Sequence, residues 1–398
     1  MSDRDQINRR DFIVTTAGVA GGGASALAGG AIAPALGQTA PPLPAGIDEH
    51  SPLAQYWEKP VAELVGRVDL KAHVPELSNE SVKERHRIYC SLLMALIQRF
   101  WNGNKRGPLG VYPYRVDQKA PGQDPQAKFF RYRGDMIKDE DQFRVNWDRY
   151  LGHNIACIAV DGNGEVIDFD FNHNDFFRSS TEHAESRMVR RLFGLADIFD
   201  NWRTGEPIPG KSRAFSLQDV TLYTSLESCA QCSGVMSLGR VKQVVYLQYD
   251  PGTYRVGNIM FNLAGRDPVD QSTLSPIPIP GSGVDLRHFN ELNESYEKFK
   301  KAIVEAKNQN NPDRAFFIPP DSGPADFAPS ITSFLCSDEA YAIFSAGADE
   351  LKNMELKFPA ERNPAKQMSW TNQQCLDHAR RFFTYADVEG FRGSPHKL

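Results

Sequence analysis

Several features that often identify a protein class are missing from this sequence. No internal repeat is present, which excludes a solenoid or other repeat protein. Beyond the first forty residues no apolar run reaches transmembrane length, so we expect no membrane span in the mature chain. The formal net charge is only −5 over 398 residues. This mildly acidic balance makes nucleic acid an unfavourable partner and favours a small-molecule substrate.

Cysteine is also scarce, with six residues in the whole chain. Four of them are isolated in the sequence: Cys90, Cys157, Cys336 and Cys375. The sequence alone assigns these four to no disulfide. Apolar neighbours predict that Cys90 and Cys157 are buried thiols. The remaining two, Cys229 and Cys232, form a Cys-x-x-Cys pair.

The first forty residues are typical of a targeting signal. Residues 8–14 read Asn-Arg-Arg-Asp-Phe-Ile-Val, and a weakly apolar stretch rich in alanine and glycine follows to about Leu36. This order is that of a twin-arginine export motif. We therefore expect residues 1–40 to be a twin-arginine signal peptide, and the protein to be periplasmic or exported.

Two short segments carry residues that commonly bind metal. Residues 181–185 read Thr-Glu-His-Ala-Glu, and residues 226–232 read Leu-Glu-Ser-Cys-Ala-Gln-Cys. Each segment opens a predicted helix. His183, Cys229 and Cys232 supply three nitrogen or sulfur ligands, which leave tetrahedral zinc with an open position, as in catalytic zinc sites. Zinc lowers the pKa of a water in that position towards neutrality.

Glu185 stands out because its position predicts a buried carboxylate. The helix that follows carries an apolar stripe through Met188, Val189 and Leu192, and one turn back along this stripe lies Glu185. An inward carboxylate is costly unless a charged or hydrogen-bonding group meets it. Glu185 is therefore our candidate for proton transfer beside the metal.

Together the two segments resemble the zinc-dependent cytidine and deoxycytidylate deaminase superfamily, whose signature is H-x-E followed by P-C-x-x-C. Residues 221–227, Thr-Leu-Tyr-Thr-Ser-Leu-Glu, are similar to the strand before the first cysteine in the branch of tRNA-adenosine and guanine deaminases. The resemblance implies a zinc ion held by His183, Cys229 and Cys232. It also implies that Glu185 is the general acid and base.

Two further positions bear on this resemblance. Asn172 lies eleven residues before His183, where that branch has an asparagine that contacts the substrate. Ser228 stands where the family has proline, and thus removes a rigid φ before the helix, although serine is itself a good helix N-cap.

The resemblance implies an α/β fold, a three-layer α/β/α cytidine deaminase-like arrangement with a mixed sheet of roughly five strands. The predicted strands are 154–160 and 165–171, joined by an Asp-Gly-Asn-Gly hairpin turn, then 221–226, 241–249 and 258–263. Residues 80–101 are predicted to form the helix that precedes the sheet.

Changes in composition divide the chain into further segments. We predict a covering segment at 41–79, a zinc deaminase domain at 80–265 with an insertion at 103–150, and a mainly helical extension at 266–398. Residues 276–283 are interpreted as a linker. Helices are expected at about 285–308, at about 340–356 and around Phe382. We expect the extension to pack on the deaminase core. It would cover the pocket mouth or a homodimer surface, or else serve as helical padding with neither role; these alternatives stay open.

These features predict a hydrolytic deaminase that acts on the exocyclic amine of a free nucleobase, a nucleoside or a similar aminated heterocycle. Export argues against tRNA, which stays in the cytoplasm. Arg187, Arg190 and Arg191 are interpreted as a solvated helix face, with a phosphate-binding cluster as the other option.

Two alternatives stay open. One is a nucleic-acid-modifying deaminase or exported effector, for which the basic and aromatic run 128–133 would contact a strand. The other is a catalytically inactive, zinc-stabilised structural or binding module. In that case Cys157, His153 or His173 would close the zinc site as a fourth ligand.

Overall fold

The computed structural model describes residues 64–66, 68–101, 154–174, 179–203, 217–253, 255–264, 273–308, 331–335, 337–366 and 368–389. All of these belong to one compact unit, formed by residues 59–320 and 329–398. The predicted signal peptide, the insertion at 103–150 with its run 128–133, and Cys336 lie outside the described residues. Within the described ranges, none of the helices combines the length and the apolar character needed to cross a membrane.

The described residues form one mixed sheet with helices around it. The strands are β1 (Ala156–Val160), β2 (Val166–Phe171), β3 (Thr221–Thr224), β4 (Gln243–Tyr246) and β5 (Ile277–Pro280). The longer helices are α1 (Glu80–Arg99), α2 (Ala184–Arg203), α3 (Ala230–Leu238), α4 (Val256–Ala264), α5 (Arg287–Asn308), α6 (Asp338–Asn353) and α7 (Asn372–Glu389). Short helical turns are Leu70–His73, Pro75–Ser78, Gly281–Val284 and Ile331–Phe334.

The strand order is β2-β1-β3-β4-β5. Strand β1 is antiparallel to both β2 and β3, whereas β3, β4 and β5 run parallel. The predicted mixed five-stranded α/β fold is thus confirmed. Parallel strands end at the same edge of a sheet, and the segments that follow β3 and β4 therefore emerge side by side.

The hairpin between β1 and β2 is confirmed. Asp161 Oδ1 accepts hydrogen bonds from the backbone N–H groups of Asn163, Gly164 and Glu165, at 2.8 to 2.9 Å. Gly164 has a φ of 110°, which a residue with a side chain rarely adopts. The turn chemistry read from the sequence therefore determines this connection.

Helices cover both faces of the sheet, as neighbouring residues of β3 show. Successive side chains of a strand point to opposite faces. The hydroxyl of Tyr223 lies 2.8 Å from Nδ1 of His86 in α1, whereas the hydroxyl of Thr224 donates to Glu185 in α2. Helices α1 and α2 thus lie on opposite faces, which gives the three-layer arrangement.

The C-terminal helices pack on α1 and on the hairpin. The ring of Trp101, just after α1, packs edge-on against Tyr341 of α6. Phe382 of α7 packs against Phe169 of β2, and the N–H of Val166 donates to Nε2 of His378 at 3.0 Å. The helical extension is therefore continuous with the core of the sheet.

The prediction of a fifth strand at 258–263 is wrong. These residues belong to α4, and the fifth strand is β5, within the stretch interpreted as a linker. In β5 the N–H of Ile277 faces β4 and donates to the carbonyl of Lys242. Alternate residues of a strand point their N–H groups in opposite directions, so the backbone nitrogens of Pro278 and Pro280 face the outer edge of the sheet. Proline is tolerated there because no neighbouring strand needs its N–H. The sheet thus continues past residue 265, where the deaminase domain was predicted to end.

Three of the isolated cysteines fall within the described residues. Cys90, Cys157 and Cys375 are buried, free thiols, which confirms the prediction for Cys90 and Cys157. Burial keeps the pKa of the Cys157 thiol well above its usual range, so this group stays protonated at neutral pH.

Candidate metal and catalytic site

The three predicted metal ligands lie together at the carboxyl edge of the sheet. His183 immediately precedes α2, Cys229 is the N-cap residue of α3, and Cys232 lies in the first turn of α3. Their ligand atoms all lie within 4.8 Å of one another. Two helix starts thus bring one imidazole and two thiols to one point.

The spacing of these atoms fits a zinc ion. The distance from His183 Nδ1 to the sulfur is 3.4 Å for Cys229 and 3.5 Å for Cys232, and the two sulfurs are 3.6 Å apart. In tetrahedral zinc sites, bonds of about 2.3 Å to sulfur and about 2.0 Å to nitrogen separate the ligand atoms by roughly 3.5 to 3.8 Å. His183, Cys229 and Cys232 therefore form a nearly regular triangle of the size that zinc requires.

The electrostatics of the triangle favour the metal-binding form of one thiol. Hydrogen bonds with the Cys232 thiol and with the His183 imidazole lower the pKa of Cys229 well below that of a free thiol. In the same contact the pKa of His183 is raised. Cys229 is thus prepared to act as a thiolate, which is the form that binds zinc.

The described residues bring three protein ligands to this site, not four. Of the fourth ligands considered, His173 lies outside the group of metal-ligating atoms, and its Nδ1 lies 2.7 Å from the carbonyl of Phe171. Cys157 is likewise outside this group. His153 is not among the residues that the structure describes. A site with three protein ligands keeps an open position, as in catalytic zinc centres.

The side chain of Glu185, in the first turn of α2, lies beside the candidate metal ligands. Its side chain is buried, and Oε2 lies 3.4 Å from the sulfur of Cys232. The other oxygen, Oε1, accepts hydrogen bonds from Thr224 Oγ1 at 3.0 Å and from Ser228 Oγ at 3.2 Å. Burial raises the pKa of Glu185. A carboxyl group with a raised pKa is suited to both accepting and releasing a proton.

Sequence reasoning missed the two hydroxyl groups that hold Glu185. Serine is a good helix N-cap, but Cys229 is the N-cap residue of α3, and the Ser228 hydroxyl donates to Glu185. Thr224 comes from the middle of the sheet, and only the strand order brings it to α2. The one signal in the sequence was the serine at position 228, where the family signature has proline. This difference did not indicate that Glu185 would be the partner of its hydroxyl.

Asn172 supports the start of α2. It follows β2, is buried, and accepts the backbone N–H of Ala184 on Oδ1 at 2.7 Å. Ala184 lies between His183 and Glu185, so this bond fixes the residues on both sides. The predicted substrate residue thus also has a structural role, which sequence reasoning did not predict.

The arginines of α2 anchor it to β2. Arg191 Nε donates to Asp168 at 2.8 Å, and its Nη1 donates to Asp170 at 2.6 Å. Arg187 pairs with Asp170 at 3.0 Å, and both carboxylates are buried. The interpretation of Arg187 and Arg191 as a solvated face is therefore wrong, whereas Arg190 is 58% exposed.

A cavity of about 720 Å³ lies where β3 and β4 end. Glu227, Asp250 and Arg255 line it together with the rings of Tyr249 and Tyr296. Burial raises the pKa of Glu227 to about 7. Small-molecule sites typically have this size and a mixture of apolar walls and few polar groups.

Comparison with known proteins agrees with this geometry. Residues 144–248 match the family of the cytidine and deoxycytidylate deaminase zinc-binding region. This stretch contains the three candidate ligands, Glu185 and Asn172. This part of the chain is therefore similar to a zinc-binding deaminase region, and the expectation of zinc as the cofactor is confirmed.

Individual relatives also match part of the chain. The tRNA-specific adenosine deaminase of Bacillus subtilis (strain 168) is 26% identical over 129 residues, which cover 32% of this chain and 67% of the relative. That of Streptococcus pyogenes serotype M18 (strain MGAS8232) is 28% identical over 92 residues, 23% of this chain and 47% of the relative. The chain thus spans about half the length of the streptococcal relative.

Among solved structures, a chain from a study of A-to-I editing by tRNA:A34 deaminases at the wobble position of transfer RNA is 22% identical. The similarity covers 32% of this chain and 82% of that chain, with a TM-score of 0.21.

Proposed function

We propose that this protein is a zinc-dependent hydrolytic deaminase of a free nucleobase, a nucleoside or a similar aminated heterocycle. The observation that carries the proposal is the position of Glu185. Its Oε2 lies 3.4 Å from the Sγ of Cys232, which is one of the three candidate metal ligands. A buried carboxylate beside an open metal site supplies proton transfer where water would be activated.

The reaction replaces the exocyclic C–N bond of the substrate by a C–O bond and releases ammonia. His183, Cys229 and Cys232 would hold the zinc ion, which when bound makes water acidic enough to act as a nucleophile. Glu185 would take one proton from the attacking water and give it to the ring nitrogen. It would then take the second proton from the hydroxyl added to the ring carbon and give it to the amine, which leaves as ammonia. Thr224 and Ser228 hold Oε1, so that Oε2 faces the reacting atoms.

Asn172 is our candidate for orienting the substrate. Its Oδ1 is engaged by the N–H of Ala184, which fixes the plane of the side-chain amide. The amide nitrogen of Asn172 is the group that would donate to a ring acceptor of the substrate.

A small substrate is supported by the charges around the site. Arg187 and Arg191 are held by Asp170 and Asp168, so these guanidinium groups are committed to buried carboxylates. We also propose export by the twin-arginine route, on the basis of residues 8–14. An exported enzyme would meet bases and nucleosides more readily than tRNA.

A second candidate function is deamination within a nucleic acid. The similarity to tRNA-specific adenosine deaminases of Bacillus subtilis and Streptococcus pyogenes favours this function. The run 128–133, rich in lysine, arginine and aromatic residues, would then contact a single strand.

Ammonia release from a panel of bases, nucleosides, nucleotides and tRNA tests the proposal. We expect ammonia from at least one base or nucleoside, and a loss of at least about 10²-fold in kcat for Glu185→Gln with zinc retained. Glu165→Gln, the same substitution on the hairpin, is the matched control and should keep full activity. Ammonia from tRNA alone would support the second candidate, and ammonia from no compound with zinc in place would contradict both.

A further inference from the structure

We propose that Ser186 is a positioning residue of the candidate zinc site. Its hydroxyl donates a hydrogen bond to the sulfur of Cys232 and thereby strengthens zinc binding, and Gln231 holds this hydroxyl in the required orientation. The inference rests on the zinc site of the proposed function. It concerns how tightly that site binds the metal, and not which substrate is deaminated.

The hydroxyl of Ser186 lies beside one of the metal ligands in the interior of the protein. Ser186 follows Glu185 in α2, and its Oγ lies 3.4 Å from the Sγ of Cys232 in α3. Both residues are buried. Ser186 does not belong to the group of candidate ligands. It is therefore an outer residue placed against one of them.

Gln231 determines the orientation of the Ser186 hydroxyl. Its Nε2 donates to the carbonyl of Thr181 at 2.7 Å and to Ser186 Oγ at 3.2 Å. Because a carbonyl only accepts hydrogen bonds, the group beside Thr181 must be the amide nitrogen of Gln231 and not its oxygen. The second hydrogen of this nitrogen is directed at Ser186. The hydroxyl of Ser186 thus accepts from Gln231, and its own hydrogen remains for another acceptor.

The chemistry of the metal ligand fixes the direction of the bond between Ser186 and Cys232. A hydroxyl and a thiol can each donate to the other. Zinc, however, binds the thiolate, which carries no hydrogen and only accepts. With Cys232 in its metal-binding form, Ser186 is therefore the donor. A buried negative charge is costly unless it is hydrogen-bonded, so this bond favours the form that binds zinc.

This hydrogen bond does not compete with the metal. The contacts of Cys232 with Cys229 and His183 join atoms that are themselves candidate ligands. The hydroxyl of Ser186, by contrast, is not needed as a ligand and is free to support the sulfur of Cys232. Outer groups of this kind orient metal ligands and tune their affinity for the metal.

Zinc affinity tests the inference without turnover. The metal-free, full-length protein and its variants compete with a chromophoric chelator for zinc. Ser186→Ala should raise the Kd for zinc about tenfold to hundredfold, as the loss of an outer hydrogen bond does at other metal sites. Ser186→Thr keeps the hydroxyl and should restore most of the affinity. Ser237→Ala removes a hydroxyl of α3 that bonds to Ser233 and Ser275. It is the matched control and should bind zinc as the wild type does.

A second variant tests the role of Gln231. Gln231→Met removes the amide but keeps a side chain of similar length, at a position that is only partly buried. We expect it to weaken zinc binding by less than Ser186→Ala, because the hydroxyl remains but is no longer held. This variant also tests the hydrogen-bond chain if Ser186→Ala does not fold. Unchanged zinc affinity of Gln231→Met would contradict the role of Gln231.

Cobalt in place of zinc gives a measurement that a merely structural role of Ser186 would not change. A hydrogen bond to a thiolate lowers the energy of the sulfur lone pairs, so the charge-transfer band from sulfur to cobalt lies at shorter wavelength. We expect Ser186→Ala to move this band to longer wavelength and Ser186→Thr to move it back. An unmoved band in Ser186→Ala, or a zinc affinity equal to that of Ser237→Ala, would overturn the inference.

Failure of the proposed function has a different signature. In that case the zinc-loaded wild-type protein releases no ammonia from any compound of the panel. The effects of Ser186→Ala on zinc affinity and on the cobalt band would nevertheless be present, because both are measured without substrate.

Discussion

Ser228 gives this site a hydrogen bond that the proline of the family signature cannot make. Its hydroxyl donates to Glu185 Oε1 at 3.2 Å, next to the bond from Thr224 at 3.0 Å. Both donors act on one oxygen, and the second oxygen is directed at the metal ligands. The departure from the signature is therefore compatible with the proposed catalysis, because it adds a support for Glu185.

Removal of this hydroxyl should lower the rate of the chemical step. A hydrogen bond to a charged group contributes about 1.5 to 3 kcal/mol, and about 1.4 kcal/mol corresponds to a tenfold change in rate. We expect Ser228→Ala to reduce kcat about tenfold, with KM and zinc content unchanged. Ser237→Ala removes a hydroxyl from α3, the helix that follows Ser228, without touching Glu185, and should leave kcat unchanged. An unchanged kcat for Ser228→Ala would show that Thr224 alone holds Glu185.

At the residue scale, the sequence motifs predicted the three candidate metal ligands and Glu185, but not the hydroxyl groups that hold Glu185. The spacing within one helix turn was enough to bring Cys229 and Cys232 together. The hydrogen-bond partners of Glu185, by contrast, depend on the order of the strands in the sheet and on the path of the chain after β3. The sequence contains no local pattern for such long-range contacts.

At the scale of single elements, the position of α2 depends on ion pairs with β2. Asp168 is completely buried, and Arg191 is its cationic partner. Asp170 binds both Arg187 and Arg191. Since α2 begins at the metal site, this network holds the helix that carries Glu185.

Breaking one of these buried pairs should destabilise the protein strongly. Arg191→Met removes the guanidinium that pairs with the buried carboxylate of Asp168, for which we expect a loss of about 3 kcal/mol or more in the free energy of unfolding. Arg190→Met is the matched control at the adjacent position; its side chain is 58% exposed and pairs with Glu182. That variant should lose only about 0 to 1 kcal/mol. Urea denaturation measures the free energy of unfolding of both variants. Equal losses for Arg191→Met and Arg190→Met would mean that the buried pairs do not anchor α2.

The strands and helices themselves were predictable where local signals agree. The hairpin of β1 and β2 follows from its turn residues, and α1 from its apolar periodicity. The fifth strand was not predictable, because two prolines in β5 are typical of a linker unless the strand is known to lie at an edge. Residues 258–263 are apolar enough for a strand, but Asn258 and Phe261 are three apart and both buried in α4, as on one face of a helix.

At the scale of the whole molecule, the twin-arginine signal would explain how zinc reaches the site. The route carries folded proteins, so the metal can be bound before Cys229 and Cys232 meet an oxidising compartment. Bound zinc would also keep these two thiols from pairing with each other, since thiolates that bind metal are not free to oxidise.

Replacement of both arginines should stop export. We expect Arg9→Lys with Arg10→Lys to keep the protein in the cytoplasm of a twin-arginine-competent bacterial host, whereas the unchanged chain reaches the periplasm with zinc bound. Fractionation followed by metal analysis of each fraction measures both properties. Equal amounts of the two proteins in the periplasm would contradict the assignment of residues 1–40.

The most direct test of the account follows zinc and ammonia in the same sample. Metal-free protein is titrated with zinc in the presence of the best substrate, and bound zinc and released ammonia are measured at each step. We expect both to rise together and to level off at about one zinc ion per chain, and Cys232→Ser to weaken both. Full ammonia release from zinc-free protein, or unchanged zinc binding by Cys232→Ser, would contradict a zinc-dependent deaminase built on His183, Cys229 and Cys232.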